Sequence, residues 1–301
     1  MQLNLMKFKN SITLKMTVAF CVGLMLFTAC SSNEPTGGPV AARITANIAL
    51  TSRAIGTAWQ AGDKIGITTT GNLKQYTNIE YTTAEGNGLF SGTPIYFQDA
   101  TSEVTFTAYY PFAGSEGTAA GILTGKTDAD SQKPENQPLI DYLWDSSVAK
   151  KDAPQVNFQF AHKMSKLTLT FQDGNDTDVS KVTSYSIEGL TLEGTFDTAN
   201  GVAAKKEDAP AETLTIDVTN AVSGSTLPSL ILYPQRTNGY VALCIAKDGQ
   251  NYNCELTFPD DELQKGQDYN FTITINKTGL EVTKSSISPW TSQILNGEAT
   301  L

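Results

Sequence analysis

The stretch Tyr269-Asn-Phe-Thr-Ile-Thr-Ile275 alternates apolar and polar side chains without a break. Successive side chains of a β-strand point to opposite faces, so this period of two puts Tyr, Phe and Ile on one face and Asn and Thr on the other. The pattern predicts a strand with one buried and one solvated face, as in antiparallel sheets. The same alternation recurs at residues 43–50, 104–109, 166–171 and 214–218.

Helical periodicity is weak throughout, and we expect at most single helical turns between residues 134 and 144. Gly, Asn, Asp and Pro separate the predicted strands, which is typical of β-sandwiches. The sequence therefore predicts an all-β protein.

Two features of the chain favour two sandwich domains of similar build. A Gly-centred turn precedes a predicted strand in Trp59-Gln-Ala-Gly62-Asp-Lys-Ile65 and again in Leu263-Gln-Lys-Gly266-Gln-Asp-Tyr269. Charge and proline interrupt the strand pattern at Lys150-Lys-Asp-Ala-Pro154. We therefore expect one domain at residues 41–153 and a second at residues 154–301.

The first 29 residues have the organisation of an export signal. Three Lys residues and no acid precede the apolar run Met16-Thr-Val-Ala-Phe-Cys-Val-Gly-Leu-Met-Leu-Phe27, which is followed by Thr28-Ala29-Cys30. The run is too short to span a bilayer comfortably, so we expect a cleaved signal peptide at residues 1–29. The small residues before Cys30 resemble a bacterial lipobox, which implies that Cys30 is lipidated. Residues 30–40 then form a flexible tether.

Charge and histidine content narrow the classes of function. The chain has 21 Lys and Arg against 31 Asp and Glu, a net charge of −10, so nucleic acid is not expected as a partner. His162 is the single histidine, which excludes a metal site built on several imidazoles, and we interpret it as a hydrogen-bonded structural residue. The chain has no nucleophile elbow, dinucleotide fingerprint or phosphate loop, so we predict no enzyme, no catalytic residue, no metal and no cofactor.

Two local clusters leave alternatives open. The segment Asp173-Gly-Asn-Asp-Thr-Asp178 gathers oxygen ligands that suit calcium, but it lacks the glycine placement and distal Glu of a complete calcium loop and also suits a solvated turn. Trp59, Trp144 and Trp290 could stack on sugar, although tryptophans beside strand sequences are more often core or interface residues.

Cys244 and Cys254 flank the hairpin signal Lys247-Asp-Gly-Gln250. A two-residue Asp-Gly turn places Leu243 opposite Cys254, so Cys244 points to the other face. Because strand alternation separates the two thiols, we predict free cysteines.

Several short motifs occur together and in order along the chain. They are the lipobox, Ser52-Arg53-Ala54, Trp59-x-x-Gly62-Asp63-x-Ile65-Gly66-Ile67, Ala108-Tyr109-Tyr110-Pro111-Phe112, Asp141-Tyr-Leu-Trp144, Phe160-x-His162-x-x-Ser165-Lys166-Leu167, Tyr233-Pro234-Gln235 and Ile287-x-Pro-Trp290. Together they resemble the fimbrillin-like lipoproteins of Bacteroidales. The resemblance implies two tandem transthyretin-like β-sandwich domains and a role as stalk, tip or anchor subunit of a surface pilus.

The resemblance also implies a mechanism of assembly with other fimbrial subunits. A lipidated precursor reaches the outer membrane, a trypsin-like protease cuts after an Arg, and loss of the first strand opens a groove for a neighbour's strand. Here the cut falls between Arg53 and Ala54. The removable strand buries Ile44, Ala46, Ile48 and Leu50.

Candidate donor anchors at the C-terminus are Ile287, Trp290 and Ile294. The alternative is a lipid-anchored surface protein that binds glycan or another ligand through exposed aromatic residues and does not polymerise.

Overall fold

The computed structural model describes residues 38–48, 58–72, 74–99 and 101–290. Over these residues the protein is all-β, as predicted. The strands are β1 (Val40–Ala41), β2 (Arg43–Ile48), β3 (Lys64–Thr70), β4 (Ile79–Thr82), β5 (Leu89–Gly92), β6 (Tyr96–Phe97), β7 (Val104–Tyr110), β8 (Ile122–Lys126), β9 (Leu143–Ala149), β10 (Gln155–His162), β11 (Ser165–Asp173), β12 (Val182–Leu190), β13 (Glu193–Asp197), β14 (Val202–Lys205), β15 (Glu212–Asp217), β16 (Leu230–Leu232), β17 (Gln235–Arg236), β18 (Val241–Lys247), β19 (Gln250–Leu256), β20 (Glu262–Leu263), β21 (Gln267–Asn276) and β22 (Gly279–Pro289).

The helices of the described residues are single 3₁₀ turns at Gln137–Leu139, Val179–Lys181 and Pro259–Asp261. The first lies inside the segment where the sequence predicts a helical turn. Within the same described ranges, we find no helix with the length and hydropathy needed to cross a membrane.

The first core lies inside a closed sheet with the strand order β10-β2-β5-β4-β3-β7-β9. The inward positions of these strands are apolar, as their alternation predicts. Trp59 lies in this core and contacts Phe90, Tyr110 and Phe160 edge-on, with ring centroids 5.0, 5.5 and 5.5 Å away.

The second core lies between two four-stranded sheets, ordered β16-β11-β21-β22 and β15-β12-β18-β19. The inner faces meet as in a β-sandwich. Phe171 of β11 contacts Tyr185 of β12 across this core at a ring separation of 5.8 Å. The alternating stretch at residues 269–275 lies in β21, and Tyr269, Phe271, Ile273 and Ile275 are buried.

A third apolar cluster contains residues that flank both cores. Its buried members are Tyr109, Ile140, Tyr142, Met164, Phe196, Ala203, Ile231, Tyr233 and Trp290. Phe196 of β13 stacks on Tyr142 with the ring planes 5° apart and the centroids 4.6 Å apart. This aromatic cluster joins β7 and the segment before β9 to β13 and β16. The division into domains at residues 41–153 and 154–301 stays a prediction.

The cysteine hairpin has the predicted register. Leu243 lies opposite Cys254, and Cys244 lies opposite Asn253. Asp248 and Gly249 both have positive φ, as a two-residue hairpin turn requires. Both thiols are free, so this prediction is confirmed.

The expectation of antiparallel sheets is wrong for two strand pairs. β2 runs parallel to β10, and β11 runs parallel to β21. Parallel partners need a long crossover, and here about a hundred residues separate the members of each pair. Period-two alternation reports which face of a strand is buried and carries no information about the direction of the neighbouring strand.

Candidate functional site

The first long strand, β2, lies between β10 and β5 in the closed sheet. All six of its residues pair in parallel with residues 155–160 of β10. On the other side only Ile44 and Thr45 pair with β5, opposite Phe90 and Leu89. The strand is therefore held along its whole length by β10 and along a third of it by β5.

The two faces of β2 differ sharply in burial. Ile44, Ala46 and Ile48 are 5%, 0% and 7% exposed and belong to the first core. Arg43 and Asn47, on the other face, are exposed. The strand therefore fills the core with a short apolar row and presents polar side chains outside.

Hydrogen bonds outside the paired strands also hold β2 in the sheet. The backbone N–H of Arg43 donates to the carbonyl of Pro154 at 2.9 Å, and that of Ala46 donates to the carbonyl of Gly88 at 2.9 Å. The indole N–H of Trp59 donates to the carbonyl of Ala46 at 2.8 Å. Gly88 has φ of +81°, and a Cβ there would lie 2.6 Å from the Ala46 oxygen, so this close approach requires glycine.

Several predicted site residues lie outside the described residues. They are Cys30, Leu50, Arg53, Ala54 and Ile294.

The last described strand, β22, is an edge strand of the second core's sheet. It pairs antiparallel with β21 over its length, and most of its side chains are exposed. Ile287 lies opposite Tyr269 and is 42% exposed. An edge strand presents backbone donors and acceptors on its outer side, which is the arrangement that accepts or donates a strand between molecules.

Trp290 follows β22 and is almost fully buried, at 1% exposed. Its ring stacks on His162 with the centroids 3.8 Å apart and the planes 7° apart. His162 Nδ1 forms a hydrogen bond with Asp141 Oδ1 at 2.8 Å, so the interpretation of His162 as a hydrogen-bonded structural residue is confirmed. Ile287 and Trp290, predicted together as donor anchors, thus differ in burial.

The same contacts bring together residues that sequence reasoning did not connect. Asp141, His162 and Trp290 come from three separate segments of the chain, and no local pattern connects them. The motifs around Asp141 and Trp290 were visible in the sequence, but their contact is a property of the fold.

Two of the three tryptophans belong to the interior. Trp59 and Trp290 are buried, so neither forms a sugar-stacking surface. Trp144 is half-buried, with its indole N–H bonded to the carbonyl of Thr198 at 3.1 Å and the Lys163 ammonium 5.2 Å from its ring.

In the segment at residues 173–178 the carboxylates organise a turn. Asp173 accepts from the N–H of Val179 at 2.6 Å, and Asp178 accepts from the N–H of Ser180 at 2.9 Å. The solvated-turn interpretation accounts for both carboxylates.

The chain is similar to known proteins over most of its length. The family profile described as fimbrillin-like matches residues 52–290. A protein of Bacteroides uniformis described as a candidate fimbrium subunit, Fim1C, is 31% identical over an alignment of 301 positions that covers 91% of this chain and 94% of the relative.

Two crystal structures of candidate cell adhesion proteins resemble the fold. The protein from Bacteroides ovatus has a TM-score of 0.73 and 28% identity, with 85% of this chain and all of that chain covered. The protein from Bacteroides uniformis has a TM-score of 0.67 and 28% identity, with 86% of this chain and all of that chain covered.

Proposed function

The chain belongs to the fimbrillin-like family, and from this premise we propose that it is a structural subunit of a surface fimbrium that assembles by strand exchange and contributes to adhesion. The similar proteins are described as a fimbrium subunit and as cell adhesion proteins, which supports a structural role and not an enzymatic one. Its partners would be other subunits of the same fibre.

The observation that carries the proposal is the position of β2. A strand near the start of the chain completes the closed sheet, and its main partner, β10, lies more than a hundred residues away. The two strands are far apart in the chain and no tight turn connects them. Removal of β2 would therefore not disrupt a hairpin.

Loss of β2 would leave a groove of defined chemistry. One wall would be the unpaired backbone of β10, and the floor would be the first core without its row of Ile44, Ala46 and Ile48. Unpaired backbone groups and exposed apolar surface both favour a replacement strand. The replacement would run parallel to β10 and carry large, small and large apolar side chains in alternation.

The proposal includes export and processing before exchange. Residues 1–29 would direct export, Cys30 would carry the lipid that holds the precursor at the outer membrane, and a trypsin-like protease would cut between Arg53 and Ala54. Arg43 is a poor competing target because its backbone is paired in the sheet. We propose two transthyretin-like domains at residues 41–153 and 154–301, with β10 of the second contributing Val156, Phe158 and Phe160 to the first core.

The proposed donor is the C-terminal part of the chain, with Ile287, Trp290 and Ile294 as anchors. β22 lies at a sheet edge and pairs with one neighbouring strand of that sheet. Most of its side chains are exposed, so it buries less apolar surface than a central strand. Trp290 would have to leave its stack on His162 to act as an anchor. Exchange would therefore break a buried aromatic contact within one subunit and form a strand pair between two subunits.

The test is N-terminal mass spectrometry of chains recovered from detached surface fibres and, separately, from outer membranes. We expect fibre chains to begin at Ala54 and membrane precursors to begin at acylated Cys30. An Arg53→Ala variant should accumulate as precursor and form no fibres, whereas the matched Arg43→Ala variant should mature normally.

Two results would overturn the proposal. Fibre chains that still begin at Cys30 would exclude processing as a condition of assembly. Chains found only in membranes, with Arg53→Ala behaving as wild type, would favour the alternative of a surface binding lipoprotein that does not polymerise.

A further inference from the structure

A cavity of about 240 Å³ opens beside the end of β2. Its apolar walls include Ile48, Trp59, Leu143 and Ile231, which come from four separate segments of the chain. This volume can hold a small organic molecule. A mostly apolar lining with a few polar groups is typical of ligand sites.

Two carboxylates face this cavity, those of Asp63 and Asp141. The described residues that line it include no Lys, Arg or His. Asp63 accepts from the hydroxyl of Tyr110 at 3.1 Å and from the backbone N–H of Gln60 at 2.7 Å. The charged side chains among the described lining residues are therefore both acidic.

Asp141 is the more unusual of the two acids. Its side chain is 8% exposed, and Oδ1 bonds to Nδ1 of His162. A largely buried carboxylate gains from each further donor that reaches it, so an ammonium group in the cavity would stabilise Asp141.

The pKa of Tyr110 depends on the charges of both acids. Burial raises the pKa of Tyr110 far above its ordinary value, and the charges of Asp63 and Asp141 raise it further. The phenol therefore stays neutral at physiological pH. The ring centroids of Tyr110 and Trp59 are 5.5 Å apart, so aromatic surface lies beside the two acids.

We propose that this cavity binds an organic monocation that carries an ammonium group on an apolar body, in the size class of an arylalkylamine. The ammonium would donate to the carboxylates of Asp63 and Asp141, and the apolar body would contact Trp59, Leu143 and Ile231. Charge-assisted hydrogen bonds and cation–π contact both favour such a group over a neutral one of the same shape. This site goes beyond the proposed role in fibre assembly.

The test compares three probes of nearly equal shape and different charge. Phenethylammonium, 2-phenylethanol and 3-phenylpropanoate are titrated into the full-length protein by calorimetry, and methyl NMR locates the site. We expect saturable binding of the ammonium at least about tenfold tighter than that of the alcohol, and no binding of the carboxylate. On addition of phenethylammonium, the methyl resonances of Leu143 and Ile231 should shift. Those of Leu169, which lies in the second core, should not.

Matched variants separate the site from a general effect of surface charge. Asp63→Asn should weaken phenethylammonium binding about tenfold, whereas Asp208→Asn, which removes a charge from an exposed loop, should leave it unchanged. Equal affinity for the ammonium and the alcohol would overturn the proposal, as would the absence of saturation or shifts confined to other regions. If Asp63→Asn does not fold, the charge series on the wild-type protein decides.

Discussion

Cys254 shows how one position in a strand controls a chemical property. Its side chain lies on the inner face of β19, opposite Leu243, and burial raises the pKa of its thiol to about 11. The thiolate is the reactive form, so a raised pKa suppresses reaction at neutral pH.

We predict that iodoacetamide at pH 8 modifies Cys254 at least about a hundredfold more slowly in the folded protein than in denaturant, because only about one thiol in a thousand is ionised three pH units below the pKa. The folded rate should rise as the pH approaches 11. Peptide mass spectrometry measures the site-specific rates, and Cys244, on the opposite face of its strand, provides an internal comparison. Equal rates for Cys254 in the folded and denatured protein would contradict the prediction.

At the scale of elements, β2 is the strand on which assembly would depend. We predict that Ala46→Asp lowers the free energy of unfolding by about 3–5 kcal/mol, because Ala46 is fully buried and an aspartate there would be an unpaired charge in the first core. The matched variant Asn47→Asp places the same charge on the exposed face and should change stability little. Chemical denaturation followed by tryptophan fluorescence, to which Trp59 of the first core contributes, measures both. A loss in Ala46→Asp as small as that in Asn47→Asp would contradict the prediction.

The elements differ in how far the sequence predicts them. The hairpin at Cys244 and Cys254 was predictable to the residue, because a short turn and a polar–apolar alternation determine its register. The parallel pairs β2–β10 and β11–β21 were not, because strand direction depends on crossovers of about a hundred residues.

The candidate sites follow the same division. The buried face of β2 is visible in its alternation, whereas the contacts of Asp141 with His162 and of His162 with Trp290 depend on the tertiary fold. The cavity beside Ile48 was missed for the same reason, since its two carboxylates are 78 positions apart in the chain.

At the scale of the whole molecule, the third apolar cluster is the link between the two cores. We predict that Phe196→Ala lowers the free energy of unfolding by about 3–5 kcal/mol and reduces protection in both cores, because this fully buried ring stacks on Tyr142 where the cores meet. Hydrogen exchange measures the amides of β3 and β18 separately. Leu139→Ala, at a position 62% exposed, is the control and should have little effect.

A loss of protection confined to one core in Phe196→Ala would show that this cluster does not couple them. Tryptophan fluorescence provides a second measurement, because Trp290 belongs to this cluster and Trp144 packs against it.

The parallel pairing of β2 with β10 also determines how the molecule carries tension. If the chain is pulled at Pro39 and the load leaves through the end of β10 at His162, the two strands are drawn in opposite directions along their shared axis. All six residue pairs then bear the load in shear at the same time, whereas an antiparallel hairpin pulled from its open end unzips one pair after another. A molecule built in this way should resist a steady mechanical pull between Pro39 and its second core.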